Sequence, residues 1–182
     1  MYKRQVIKSD YQLSVLSNKS QTPVFSGKAL QFGRADIKKI ELPFSFPFFG
    51  SEVDTIYVSL GGSVFISNPS ESTKTLSSQA IHAFKSELSY PSPAFGVRAV
   101  VLNDTVRIQW RALKKLPVFS PVVVNLQIEK SGAIELQHSI PEKSLKYFPN
   151  DKLVQLIANK HQYINYDAKL NPQTKLRFDL QS

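Results

Sequence analysis

The chain has 182 residues, 42% of them hydrophobic and 20% charged, enough for one substantial core, and it lacks the ~20 uninterrupted apolar residues of a helical membrane span. Twenty-three Lys and Arg against 14 Asp and Glu leave a formal charge of +9, which favours acidic partners through long-range attraction. The absence of Cys excludes disulfides, thiolate metal sites and a cysteine nucleophile, and the basic residues form no block of the kind that marks a nucleic-acid tail.

The N-terminal MYKRQVIKSDYQL has no continuous apolar stretch of the secretory type, so either the chain stays in the cytoplasm or a leader has been cut away. Short strands are expected at Tyr11–Leu16, Ala29–Phe32 and Lys38–Leu42. They lead into IELPFSFPFFG, residues Ile40 to Gly50, with four Phe and two Pro. Pro43 and Pro47 prevent an ordinary helix and withhold two amide donors from a ladder, which confines the segment to a sheet edge. Alternation puts Phe44, Phe46 and Phe48 on one side, with Ser45 and Pro47 opposite. Three rings can therefore enter a core before Phe49 breaks the alternation and Gly50 turns the chain.

Thr55 to Ser67, TIYVSLGGSVFIS, reads as a hairpin turning at Gly61-Gly62, with Val58 and Phe65 on one face and Tyr57 and Ile66 on the other. Ser72 to Glu87 shows no sustained 3.6-residue repeat and reads as a loop with one helical turn at most. YPSPAFG, Tyr90 to Gly96, reads as a loop crossing between sheets. The next hairpin, Phe95 to Arg111, turns at Asn103-Asp104 and pairs Val101 with Val106, Ala99 with Ile108 and Val97 with Trp110. That register gathers the apolar residues on one face and Arg98, Arg107 and Gln109 on the other, where a one-residue slip would bury the arginines.

Val122 to His138 forms another hairpin, closed by Gly132 at positive φ, with Leu126 facing Leu136, Ile128 facing Ile134 and Val124 facing His138. Asn125, Gln127, Glu135 and Gln137 then point to water. Strands at Leu153–Ala158 and Lys175–Leu180 complete the pattern, the second with Leu176, Phe178 and Leu180 on one face. Short strands with almost no helical signal define an all-β chain, a single antiparallel β-sandwich domain over residues 1–182.

The stretch Leu42 to Ser67, LPFSFPFFGSEVDTIYVSLGGSVFIS, resembles the opening of nidogen-like extracellular domains and of the plexin domain-containing surface proteins. The resemblance continues through VRIQWR at Val106 to Arg111 and LQIEKSGAIEL at Leu126 to Leu136, covering about 42–138 in all. It implies a non-catalytic recognition or adhesion module outside the cytoplasm, at a cell surface or in a matrix, binding a protein or glycan, with its leader removed. Gly61-Gly62 stands where those families commonly have Asn-Gly, their flanking domains are missing, and they offer no residue code for a ligand to carry over.

Catalytic and metal motifs are weak by comparison. His82, His138 and His161 have no metal-ligand spacing, so no metal or cofactor is expected, and His138 on an apolar hairpin face reads as a hydrogen-bonded structural imidazole. Nothing near His82 orders it as a base, and Ser59 and Ser63 lack the Gly-x-Ser-x-Gly elbow. Glu129 and Glu135 are cross-hairpin carboxylates beside a turn, a position that normally solubilises a sheet rather than cleaving a glycoside. Asp36 and Asp54 lack an Asp-rich calcium loop, and the sequons at Asn18 and Asn103 fall in turns, where Asn is favoured anyway. The binding surface expected from charge is Arg98, Arg107, Arg111, Lys114 and Lys115, for a polyanion such as nucleic acid or acidic glycan.

Overall fold

The computed structural model describes residues 11–16, 25–32, 36–69, 79–114, 120–147, 154–159, 162–166 and 172–181. Lys115, His161, Leu153, the Asn18 sequon and the whole of the 72–78 stretch lie outside these described residues. The strands in chain order are β1 (Tyr11–Leu16), β2 (Lys28–Ala29), β3 (Ile37–Phe48), β4 (Ser51–Ser59), β5 (Ser63–Phe65), β6 (Ala80–His82) and β7 (Leu88–Ser89). They continue with β8 (Gly96–Val101), β9 (Thr105–Lys114), β10 (Ser120–Glu129), β11 (Ile134–Ser139), β12 (Val154–Asn159), β13 (Gln162–Tyr166) and β14 (Gln173–Leu180).

These strands form two antiparallel sheets, an all-β sandwich as expected. The large sheet runs β1-β14-β11-β10-β9-β8-β2, with β7 also on β9, and the small sheet runs β13-β12-β6-β5-β4-β3. One apolar cluster lies between them, filled by Trp110, Phe46, Phe48, Phe84 and Phe178 among others. Four polar tips cross the core to backbone oxygens of the small sheet and its connections: Tyr11 to Pro47 (3.1 Å), Tyr90 to Leu60 (2.6 Å), Trp110 to Ser59 (2.8 Å) and His138 to Ala83 (2.6 Å). Each of these four tips thus finds a partner in the interior, as burial requires, while Nδ1 of the fully buried His138 has none among the described residues.

The phenylalanine-rich segment is the outer strand of the small sheet. Phe44, Phe46 and Phe48 are buried on one side, and the ladder with β4 shifts register between Glu41 and Phe46, where Pro43 has no amide to donate. Phe48 pairs with Ser51 across the two-residue turn Phe49-Gly50, and both turn residues have positive φ, 46° and 82°. Such a primed turn suits a twisted hairpin but strains a side chain at its first position, at a cost of roughly 1 kcal/mol. The Phe49 ring offsets it by packing edge-on against Phe48 at 4.8 Å and Tyr11 at 5.1 Å.

Gly132 sits at φ 88° on the other side of this contact, where a Cβ would strike Leu180 and Pro47. The absent side chain therefore sets how closely the β10–β11 turn approaches the phenylalanine segment.

The two main hairpins have the expected registers, including Val97 with Trp110 and Val124 with His138. Five expectations need correction. In the Gly61-Gly62 hairpin, Tyr57 pairs with Phe65 and Val58 with Val64, one residue away from the sequence reading. The loop holds three residues rather than two, and only Gly62 has positive φ, its carbonyl accepting from the amides of Ala83 and Phe84. Val58 and Val64 consequently share the core side, and Tyr57 and Phe65 share the outer side.

The Ser72 to Glu87 stretch contains strand β6, which lies between β5 and β12 in the small sheet. Tyr90 to Gly96 does not cross between sheets, because β7 and β8 both pair with β9; the crossing lies between β6 and β7. Gln137 is buried instead of pointing to water, since its row places it between Asn125 and Lys175 in the interior of the large sheet. The Ala29–Phe32 strand is shorter than expected, with Lys28–Ala29 paired to β8 and Leu30 adding one bond to Val97. Strand β13 and a 3₁₀ turn at Glu142–Tyr147 had no counterpart in the sequence reading.

Candidate interaction surface

Alternation along β8 and β9 decides what the outer face of the large sheet carries. Inner positions Val97, Ala99, Val106, Ile108 and Trp110 are buried, so Arg98, Arg107 and Arg111 stand on the opposite side, and all three are exposed. Arg98 pairs across from Gln109, which separates Arg107 from Arg111 on β9. By strand geometry, Arg98 lies on the order of 8 Å from each of the other two, measured between backbone positions.

Arg107 Nε donates to the Gln127 side-chain oxygen at 3.0 Å, and Gln109 Nε2 donates to Asn125 Oδ1 at 2.9 Å. A layer of neutral amides on β10 thus borders the guanidinium groups and holds one of them. Among the described residues, none of these arginines has a carboxylate partner.

The acids of this face gather on its other half. Glu135 pairs with Lys175 at 2.8 Å, while Arg177 contacts Glu129 at 3.1 Å and Asp179 at 2.9 Å. Partial burial would raise the Glu129 pKa, but Arg177, Gln127 and Ser131 together hold it below the usual carboxylate range. Glu129 and Glu135 are therefore spent on cations rather than arranged around a cleft. The large sheet thus carries Arg98, Arg107 and Arg111 without carboxylate partners on β8–β9, the amides of Asn125 and Gln127 on β10, and a compensated group in which Glu129 at the end of β10 joins the charges of β11 and β14.

Of the residues expected from sequence, the structure brings Arg98, Arg107 and Arg111 together. Lys114 ends β9, where its backbone pairs with Leu88 and Ser120, and its side chain, like the whole of Lys115, lies outside the described residues. The sequence reading missed Gln109 and Gln127 as partners of this surface, although their period-two spacing against Arg107 and Asn125 carried the signal.

Both described histidines are held by a hydrogen bond within the fold. His138 is fully buried, with Nε2 donating to Ala83, and burial lowers its pKa to about 4 against the weaker opposing pull of that bond. His82, expected to have no ordering neighbour, instead sits in β6 with Nδ1 2.7 Å from the Ser63 hydroxyl. Burial, and secondarily Lys85, lowers its pKa to about 4. Ser63 is itself buried, so the pair shares a proton within the sheet instead of offering a nucleophile. Among the described residues, no three His, Asp or Glu side chains converge as metal ligands, and no helix is long and apolar enough to cross a membrane. No family model, curated protein or solved structure matches the chain.

Proposed function

We propose that this chain is a non-catalytic recognition module that binds an acidic protein or glycan through the β8–β9 face, displayed at a cell surface or in a matrix. One observation carries the binding reading: three exposed arginines share a face with no carboxylate partner among the described residues, although Lys175 and Arg177 of the same sheet are both paired with acids. The Gln127 bond holds Arg107 in place, which lowers the ordering cost of contact. Placement outside the cytoplasm rests on the resemblance of the 42–67 segment. Nucleic acid fits this face less well, because sequence-tolerant binding of single strands needs aromatic rings among the charges, and Trp110 is buried in the core.

The test is retention of the protein and its Arg98→Glu/Arg111→Glu variant on immobilised heparin and on poly-glutamate. The unaltered protein should be retained on at least one column and elute with salt, and the variant should bind at least about tenfold more weakly at low salt. Equal retention of both, or none by the unaltered protein, refutes the proposal.

A further inference from the structure

The outer face of the small sheet has a different chemistry. Its strands β5, β6, β12 and β13 read SVF, AIH, VQLIAN and QYINY, without one Asp, Glu, Lys or Arg in a chain of net charge +9. Their inner side is accounted for, since Val64, Ile81 and Leu156 fill the core and Ile164 packs against it. The outer side carries a continuous row across the sheet: Tyr57 opposite Phe65, Phe65 opposite Ala80, Ala80 opposite Ile157 and Ile157 opposite Tyr163.

Ala80 is buried, whereas Tyr57, Phe65, Ile157 and Tyr163 are each partly exposed, and none of those four belongs to the core cluster. At the usual strand spacing the row spans about 19 Å, several pyranose rings in length.

A polar row runs beside it, with Ser63 opposite His82, His82 opposite Gln155 and Gln155 opposite Asn165. Gln155 Nε2 donates to Asn165 Oδ1 at 2.6 Å, and Ser63 occupies His82 Nδ1. Gln155 itself is buried, which leaves the Asn165 amino group and His82 Nε2, both on partly exposed residues, without a partner among the described residues.

We propose that this face is a second binding surface, for a neutral polysaccharide chain. Aromatic rings take the C–H faces of pyranoses, amide and imidazole groups take their hydroxyls, and the four charge-free strands carry no penalty for desolvating ions, charge entering the row only beyond Tyr57, where Lys39 stands opposite it paired with Glu41. A nucleic acid or acidic glycan would find no cation on these four strands.

The experiment titrates cellohexaose, maltohexaose, laminarihexaose and N-acetylchitohexaose separately into the protein, by calorimetry and by NMR of the aromatic ring protons. At least one should bind with Kd below about 1 mM and shift Tyr and Phe ring signals, with little change between about 0.05 and about 0.5 M salt. Tyr57→Ala with Tyr163→Ala should weaken it about tenfold or more, while Tyr163→Phe should retain it. Arg98→Glu/Arg111→Glu should leave it unchanged, which separates this surface from the basic one.

The proposal falls if no hexaose binds at about 10 mM. It falls equally if binding survives the paired Tyr→Ala substitutions, or if those substitutions only change the sedimentation of a self-associated protein.

Discussion

On their inner sides the two sheets are alike: the large one supplies Ile108, Trp110, Leu126 and Phe178, the small one Phe46, Ile56, Ile81 and Leu156, all essentially without exposure. On their outer sides they differ in kind. Strands β8 and β9 display guanidinium groups, whereas β5, β6, β12 and β13 display aromatic rings, amides and an imidazole without any charge. Period-two alternation makes this division available, since each strand contributes one residue series to packing and the other to whatever lies outside. The chemistry of one outer face can change without altering the core or the chemistry of the other, so a two-layer sandwich can carry two dissimilar surfaces.

The most severe test of this comparison removes one large side chain from each inner face. Phe46 and Phe178 are both fully buried, and Phe46→Ala and Phe178→Ala should each lower unfolding stability by about 3–5 kcal/mol in a denaturant titration. If Phe46→Ala cost less than about 1 kcal/mol while Phe178→Ala cost the full amount, the inner faces would not be equivalent and the phenylalanine edge would have another role.

Acid probes the same interior with the next largest effect. His138 joins the sheets through Ala83, and burial holds its pKa at about 4 against an ordinary 6.5. The imidazole of the unfolded chain therefore takes up a proton first as pH falls. Its contribution is fully present above pH 6.5, declines as pH drops toward 4, and levels off below, a loss of about 3 kcal/mol. His82 is shifted in the same direction to about 4, so His138→Gln should remove only part of the acid dependence in that window. A stability profile flat from pH 7 to 4 in the unaltered protein would contradict the burial of both rings.

The large sheet was legible in the sequence to a greater degree than the small one, for physical reasons. Its central hairpins alternate strictly and turn at Asn103-Asp104 and Lys130-Ser131-Gly132, so a shift of one residue would have buried Arg107 or exposed Ile128. The grouping of Arg98, Arg107 and Arg111 followed directly from that register.

In the small sheet both faces are partly apolar, and TIYVSLGGSVFIS accommodates two registers almost equally well on pattern alone. What distinguishes them is the bonding of Gly62 to Ala83 and Phe84, a contact distant in sequence. Three-residue strands such as AIH give too short a window for periodicity, and QYINY alternates polar Gln162 and Asn165 irregularly with its rings. The aromatic row assembles from five separate strands, so no single segment announced it.

The smallest expected effect concerns the contrast within the large sheet, between its unpaired and its compensated half. Arg177 is 28% exposed and lies among Glu129, Glu135 and Asp179, so Arg177→Gln deprives three carboxylates of one shared cation. Partly exposed ion pairs contribute little individually, and the loss in stability should be about 1 kcal/mol at low salt, shrinking as salt is added. The effect on binding should exceed the effect on folding. Glu129 also accepts from Gln127, which holds Arg107, so freed acidic charge would reach the basic half through one intervening side chain. Earlier elution of Arg177→Gln from the acidic columns, with a nearly unchanged melting temperature, is the expected outcome. Unchanged elution would mean that the two halves act independently and that β10 separates them electrostatically as well as in space.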